Sequence, residues 1–138
     1  MLLDSNIIIY AINESSPKHK LAQEFIVKNK SKLYVAQQNI FETLRILTHP
    51  KYPKPMNITD AIDTVQGICD ALTVISPQQE TYILALELIK KYGLTSDQVF
   101  DAYLLATMLS NEIRDIVTDN EKDFKGFEGI KILNPFKS

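Results

Sequence analysis

Residues 1–10, MLLDSNIIIY, decide how the rest of the chain is read: the short apolar run of Leu2 and Leu3 closes on Asp4, and a second apolar run follows Ser5 and Asn6. An acid that ends a strand-like run and feeds a helix stands where open α/β sheets bind ligands, outside the carboxyl ends of their strands. The same residue would also serve as a helix N-cap, a role for which Asp and Ser are favoured. Capping explains Asp4 about as well as a site does, so the choice between them falls to the other acids.

Outward from this opening, strand-like runs alternate with helical patterns, the mark of a parallel sheet covered by helices. Leu33 to Val35, Leu72 to Ile75, Ile116 to Thr118 and Ile130 to Leu133 read as further strands, the last at an edge. A helical turn or two is expected through Ala11, and longer helices from Pro17 to about Asn29, through Glu42 to about Thr48, and from Asn57 or Thr59 through Cys69. Ser76 and Pro77 give an N-cap and first-turn start signal for a helix that Gly93 stops, and one more helix carries Asp101. The expected fold is a three-layer α/β/α domain over residues 1–138, with a central, mainly parallel sheet of four to five strands.

Separated segments then supply acids. QNIFETLRIL carries Glu42, SDQVFDAYLLATML carries Asp97 and Asp101, and IVTDNEKDF carries Asp119 and Asp123. Leu104, Leu105 and Met108 follow Asp101 at helical spacing on its own face. A carboxylate in such an apolar stripe is costly to desolvate without a cation or several donors beside it. Asp97, four residues earlier, either caps this helix or shares a cation with Asp101, and capping suits its place at the start of the apolar periodicity. Periodicity sets Ile40, Phe41, Leu44 and Leu47 on one side of their helix and leaves Glu42 to solvent. Asp119, after Ile116, Val117 and Thr118, mirrors Asp4 at a strand tip or feeds a turn with Asn120.

The 138 residues, 45% hydrophobic, suffice for the core of one domain. No apolar stretch approaches a membrane span and no basic region precedes a signal-like core, so a soluble cytoplasmic protein is expected. Cys69 alone forms no internal disulfide or cysteine-rich zinc site, and His19 and His49 are too few and too separate for a histidine zinc centre. The remaining ligand atoms are carboxylate oxygens, which suit magnesium or manganese. A formal charge of −2 gives no overall pull toward nucleic acid. Attraction for phosphate would have to be local, from Lys18 and Lys20, Lys28 to Lys32, Arg45, Lys51 and Lys54, or Lys122 and Lys125.

LLDSN at the start, Glu42 in its helix, FDAYLLA late, and VTDNEKDF before FEGIKILNP together resemble a PIN-domain ribonuclease, more narrowly a VapC-type toxin of a toxin–antitoxin pair. TLRILTHPKYPKP also looks like the proline-rich connection of one VapC subgroup. The resemblance runs through the whole chain in order; each motif is weak alone, and their joint spacing is what is specific. Carried over by position, Asp4, Glu42 and Asp101 match the family's first three acids, so the resemblance places Glu42 in the site although periodicity leaves it to solvent. Asn6 and Thr118 fall at supporting polar positions. Many relatives place a fourth acid where this chain has Asn120, which leaves Asp119 and Asp123 as candidates.

The resemblance implies metal-assisted hydrolysis of RNA phosphodiesters, with Asp4 and Asp101 as ligands of magnesium or manganese. It also implies a homodimer, and a cognate antitoxin whose tail occupies the acidic pocket. Two rivals remain. A noncatalytic module would receive a partner's basic side chain in the same pocket. A magnesium-dependent phosphoryl-transfer domain fits less well, because Asn6 stands where a haloacid-type phosphatase needs a second aspartate and Asp119 follows Thr118 where a receiver needs a lysine.

Overall fold

The computed structural model describes residues 1–137. Five strands, β1 (Leu2–Leu3), β2 (Tyr34–Ala36), β3 (Thr73–Ile75), β4 (Asp115–Val117) and β5 (Lys131–Leu133), form one sheet in the order β3-β2-β1-β4-β5. Every pairing is parallel. The chain winds from β1 through β2 to β3, then crosses back to lay β4 on the other side of β1. The winding direction therefore reverses beside β1, and in such sheets the crevice beyond the strand ends at that reversal is the ligand position.

Period-two alternation distributes the strand residues between two helical layers. Leu2, Ala36 and Ile116 pack with Leu104, Leu105, Met108 and Phe124 on one face. Leu3, Val35 and Val117 pack with Ile7, Ile8, Ala11 and Ala22 on the other. The first layer contains α5 (Thr81–Tyr92) and α6 (Gln98–Ser110); the second contains α1 (Ser5–Ile12), α2 (His19–Asn29), α3 (Gln37–Leu47) and α4 (Ile58–Cys69). The three-layer expectation holds, with all five strands parallel.

Local chemistry sets most element ends. Asn57 caps α4, its Oδ1 accepting the Asp60 N–H at 2.9 Å. Gly93 ends α5 in the left-handed region, φ 62°, a conformation that a β-carbon disfavours. The start expected at Ser76 and Pro77 is not taken, because α5 begins four residues past Pro77, at Thr81. The Ser76 carbonyl accepts from Asn111 Nδ2 at 2.9 Å, and Thr81 Oγ1 accepts the Gln78 N–H at 2.7 Å, so a tertiary contact and a polar turn displace the helix start. The apolar stripe expected on α3 also breaks at Phe41, which is 69% exposed. Asn39, Thr43 and Leu47 form the fully buried line instead.

Among the described residues no helix is long and apolar enough to cross a membrane.

Candidate active site

Asp4 leaves the end of β1 and caps α1, its Oδ1 accepting the Ser5 N–H at 2.8 Å. The capping expectation holds. It is 7% exposed, and its Oδ2 accepts from Thr118 Oγ1 at 2.8 Å and from Asn6 Nδ2 at 3.3 Å. Thr118 follows β4, so hydrogen bonds across the reversal point tie the two strand tips together. These donors do not offset burial: the Asp4 carboxyl is pushed up to about 6, first by desolvation and further by Glu42 and Asp123.

Glu42 comes from α3, fixed at both oxygens. Oε2 accepts from Ser5 Oγ at 2.9 Å and Oε1 from Gln38 Nε2 at 2.7 Å. Asp101, in the first turn of α6, is pushed up to about 7 by desolvation and then by Asp123, Asp4, Glu42 and Asp97. Its carboxylate has no hydrogen-bond donor or ion-pair partner among the described residues. A half-buried acid surrounded by other acids, without an ion pair among the described residues, is the feature that the sequence marked as costly.

Glu42, Asp97, Asp101, Asn120 and Asp123 line one open cavity of about 790 Å³ with Gln38, Phe41, Arg45 and Phe100. Asp97 does not cap α6 as expected. Its backbone is already helical, φ −61° and ψ −24°, and its side chain accepts no helix N–H. It faces Asp101 across one helical turn instead and adds to the repulsion there.

The two candidates for a fourth acid separate. Asp123, on the short turn Glu121–Asp123 after β4, lines the cavity and acts on both Asp4 and Asp101. Asp119 does not line it. Lys18 Nζ donates to Asp119 Oδ2, joined there by Tyr10 Oη at 3.0 Å, and Asn134 Nδ2 donates to Oδ1 at 3.2 Å. These donors hold the Asp119 carboxyl below its ordinary range despite burial. Asp119 thus serves as an anchor, while its N–H fixes Asn6 by donating to Oδ1 at 3.2 Å.

Sequence reasoning missed Ser5, Gln38 and Asn39. Ser5 bridges two acids, through its N–H to Asp4 and its hydroxyl to Glu42. Asn39 is fully buried, and its Oδ1 accepts the Ala36 N–H at 3.2 Å. Its only sequence signal is a polar residue one helical turn before Thr43 and two before Leu47. Asn39→Ala is expected to strand that buried N–H and lower unfolding free energy by about 1–3 kcal/mol, read as a shifted urea midpoint at constant slope.

The donor set is all oxygen and acidic, which fits a hard divalent cation. Among the described residues no three His, Cys, Asp or Glu side chains are placed to hold one ion together.

Comparison with known proteins agrees with this fold. The PIN domain family model matches residues 1–129. No curated protein sequence matches the chain. Among solved structures, FitAcB from Neisseria gonorrhoeae superposes with a TM-score of 0.76 at 15% identity, covering 99% of each chain. A toxin–antitoxin complex from Klebsiella pneumoniae gives 0.70 at 21% identity, covering 99% of this chain and 98% of that one. Mycobacterium tuberculosis VapC20, a Sarcin-Ricin loop cleaving toxin, gives 0.70 at 14% identity, covering 94% and 97%. At these identities the likeness is one of fold.

Proposed function

Because the chain belongs to the PIN domain family, we propose that it is a magnesium- or manganese-dependent endoribonuclease, and the toxin of a toxin–antitoxin pair. The observation that carries this reading is Asp101, an acid pushed up to about 7 with four other carboxylates acting on it and no ion-pair partner among the described residues. The neighbours support the biological half: one is a toxin–antitoxin complex, one is VapBC from Salmonella typhimurium bound to DNA, and VapC20 cleaves the Sarcin-Ricin loop. A cognate antitoxin and a second copy of this chain are the partners that belong to the proposal.

In it, Asp4 and Asp101 hold the cation. When bound, the ion supplies Lewis acidity toward a phosphate oxygen and acidifies water. Thr118, Asn6 and Ser5 fix the Asp4 carboxylate, so its orientation costs nothing at the moment of reaction. Glu42, held at both oxygens by Ser5 and Gln38, orients the attacking water. Asp123 completes the acidic wall opposite. Hydrolysis forms one P–O bond from water and breaks another to the leaving ribose oxygen, which departs with a proton.

The test is purified protein on structured RNA, with and without magnesium, beside Asp4→Asn. Metal-dependent cleavage by the wild type alone is expected. Equal cleavage by both proteins means contamination, and no cleavage of any RNA favours a noncatalytic module whose pocket takes a partner's basic side chain. The fourth acid is read in the same assay. Asp123→Asn is expected to lower kcat/KM by about 10- to 100-fold. Asp119→Asn is expected to leave kcat/KM within a few-fold and to cost about 1 kcal/mol of stability through loss of the Lys18 pair, which is partly exposed. The reverse ranking would return Asp119 to the site.

A further inference from the structure

Two phenylalanines border the acidic cavity in a way that the chemistry above does not use. Phe41 on α3 is 69% exposed and Phe100 on α6 is 62% exposed, although large apolar side chains normally find cover. Each directly precedes an acid of the site, Glu42 and Asp101, and both rings line the same cavity as those acids. Arg45 is the cavity's only lining cation, one helical turn beyond Phe41 on the same face of α3.

Gln38 adds an independent sign. Its Nε2 donates to Glu42 Oε1 at 2.7 Å and to the Phe100 carbonyl at 3.1 Å, bridging α3 to α6. Both partners are acceptors, so the amide orientation is fixed and Oε1 is the free end. That oxygen is buried without a hydrogen-bond partner, and no other buried side-chain N or O atom is in this condition among the described residues. A buried acceptor without a donor costs free energy, so the bridge that Gln38 makes between α3 and α6 is held at a cost beside the two rings.

Resting on the nuclease reading, the geometry points to Phe41, Phe100, Arg45 and Gln38 as a subsite for one unpaired nucleotide of the RNA, next to the phosphate that is cut. The base stacks on a phenyl ring, Arg45 pairs with the adjoining phosphate, and Gln38 holds α3 and α6 at the spacing that presents both rings. Single strands suit this arrangement because splayed bases offer a free aromatic face, which paired bases do not. Arg45 fits the phosphate of such a strand and gives an apolar partner surface nothing to match. The cavity is otherwise acidic, so this cation lies where the backbone must approach carboxylates and needs local attraction.

The test uses the Asp101→Asn protein, which binds without cutting, titrated with short single-stranded oligoribonucleotides carrying one 2-aminopurine at successive positions. Fluorescence is expected to be quenched at one position, and Phe41→Leu or Phe100→Leu in that protein to remove the quench and weaken binding about tenfold. Both sites are exposed, so leucine keeps the fold, which circular dichroism checks. With an abasic residue at the quenched position, the parent and the leucine variants are expected to bind equally.

Two results overturn the subsite. One is absence of quenching at every position. The other is leucine variants that keep full RNA affinity while turning a dimer into a monomer, which assigns the rings to a second copy. Quenching by a protein that, with Asp101 restored, cleaves no RNA keeps the subsite and removes the nuclease reading.

Discussion

Asp101→Asn is expected to abolish RNA cleavage, by at least about a thousandfold in kcat/KM, and at the same time to stabilise the metal-free protein. The loss follows because a ligand-bearing carboxylate underlies several kcal/mol of transition-state charge stabilisation, and about 4 kcal/mol is a thousandfold. The gain follows because Asp101 is repelled by Asp123, Asp4, Glu42 and Asp97, and asparagine keeps the shape without the charge. Asp101 is only half-buried, so solvent screening cuts that gain to about 1 kcal/mol. The paired outcome matters, since an acid placed for structure would lose stability on neutralisation. An Asn variant that still cuts RNA, or that melts lower than the wild type without metal, would remove Asp101 from the centre of the site.

Magnesium or manganese is expected to raise the melting temperature of the wild type, and to do so more strongly as pH rises through the range of the two perturbed acids. Asp4 is pushed up to about 6 and Asp101 to about 7 in the folded chain, both above their unfolded value of 3.8. The folded state therefore binds more protons than the unfolded one between these values, and without metal its stability falls as pH rises from about 4 to about 7. For Asp4, which is buried, the loss is about 3 kcal/mol once pH exceeds 6, and Asp101 adds a smaller, screened contribution of the same sign. A cation needs both groups ionised, so its affinity and any metal-dependent cleavage rise over the same range. At a hundredfold excess over its dissociation constant the ion returns about 2.7 kcal/mol. Melting curves at both ends of this range, with metal and with chelator, test the claim; a chelated protein that is equally stable at both would sink it.

The fold was legible because its signals are local and repeated. Leu2 and Leu3, Ile116 and Val117, and the helical spacing of Leu104, Leu105 and Met108 each specify burial on a known face. Asp4 was legible as an acid at a strand tip; its carboxylate caps α1 and feels the cavity acids Glu42 and Asp123, although it lies behind the cavity lining itself. Glu42 was not legible from periodicity. It is kept near the site by Ser5 and Gln38, and the Ser5 contact spans 37 residues, beyond what helical spacing can report. Asp97 and the start of α5 were misread because capping rules assume a particular backbone at the helix end: Asp97 already has helical dihedral angles, and the segment before α5 is held by a tertiary contact from Asn111. Asp119 and Asp123 look alike in sequence, and what separates them is Lys18, 101 residues from Asp119.

The middle strand of the sheet has a consequence for how the molecule is made. β1 is two residues long, and its neighbour on one side, β4, is the product of the chain's last quarter. Synthesis proceeds from the N-terminus, so Asp4 emerges early but meets Thr118 and Asp123 only after more than a hundred further residues have been translated. A polypeptide still growing on the ribosome carries the first acid without the wall that encloses it. On the proposed reading, a cavity lined by Asn120 and Asp123 would stay open-sided, and its chemistry dormant, until the residues that follow β4 have left the ribosome.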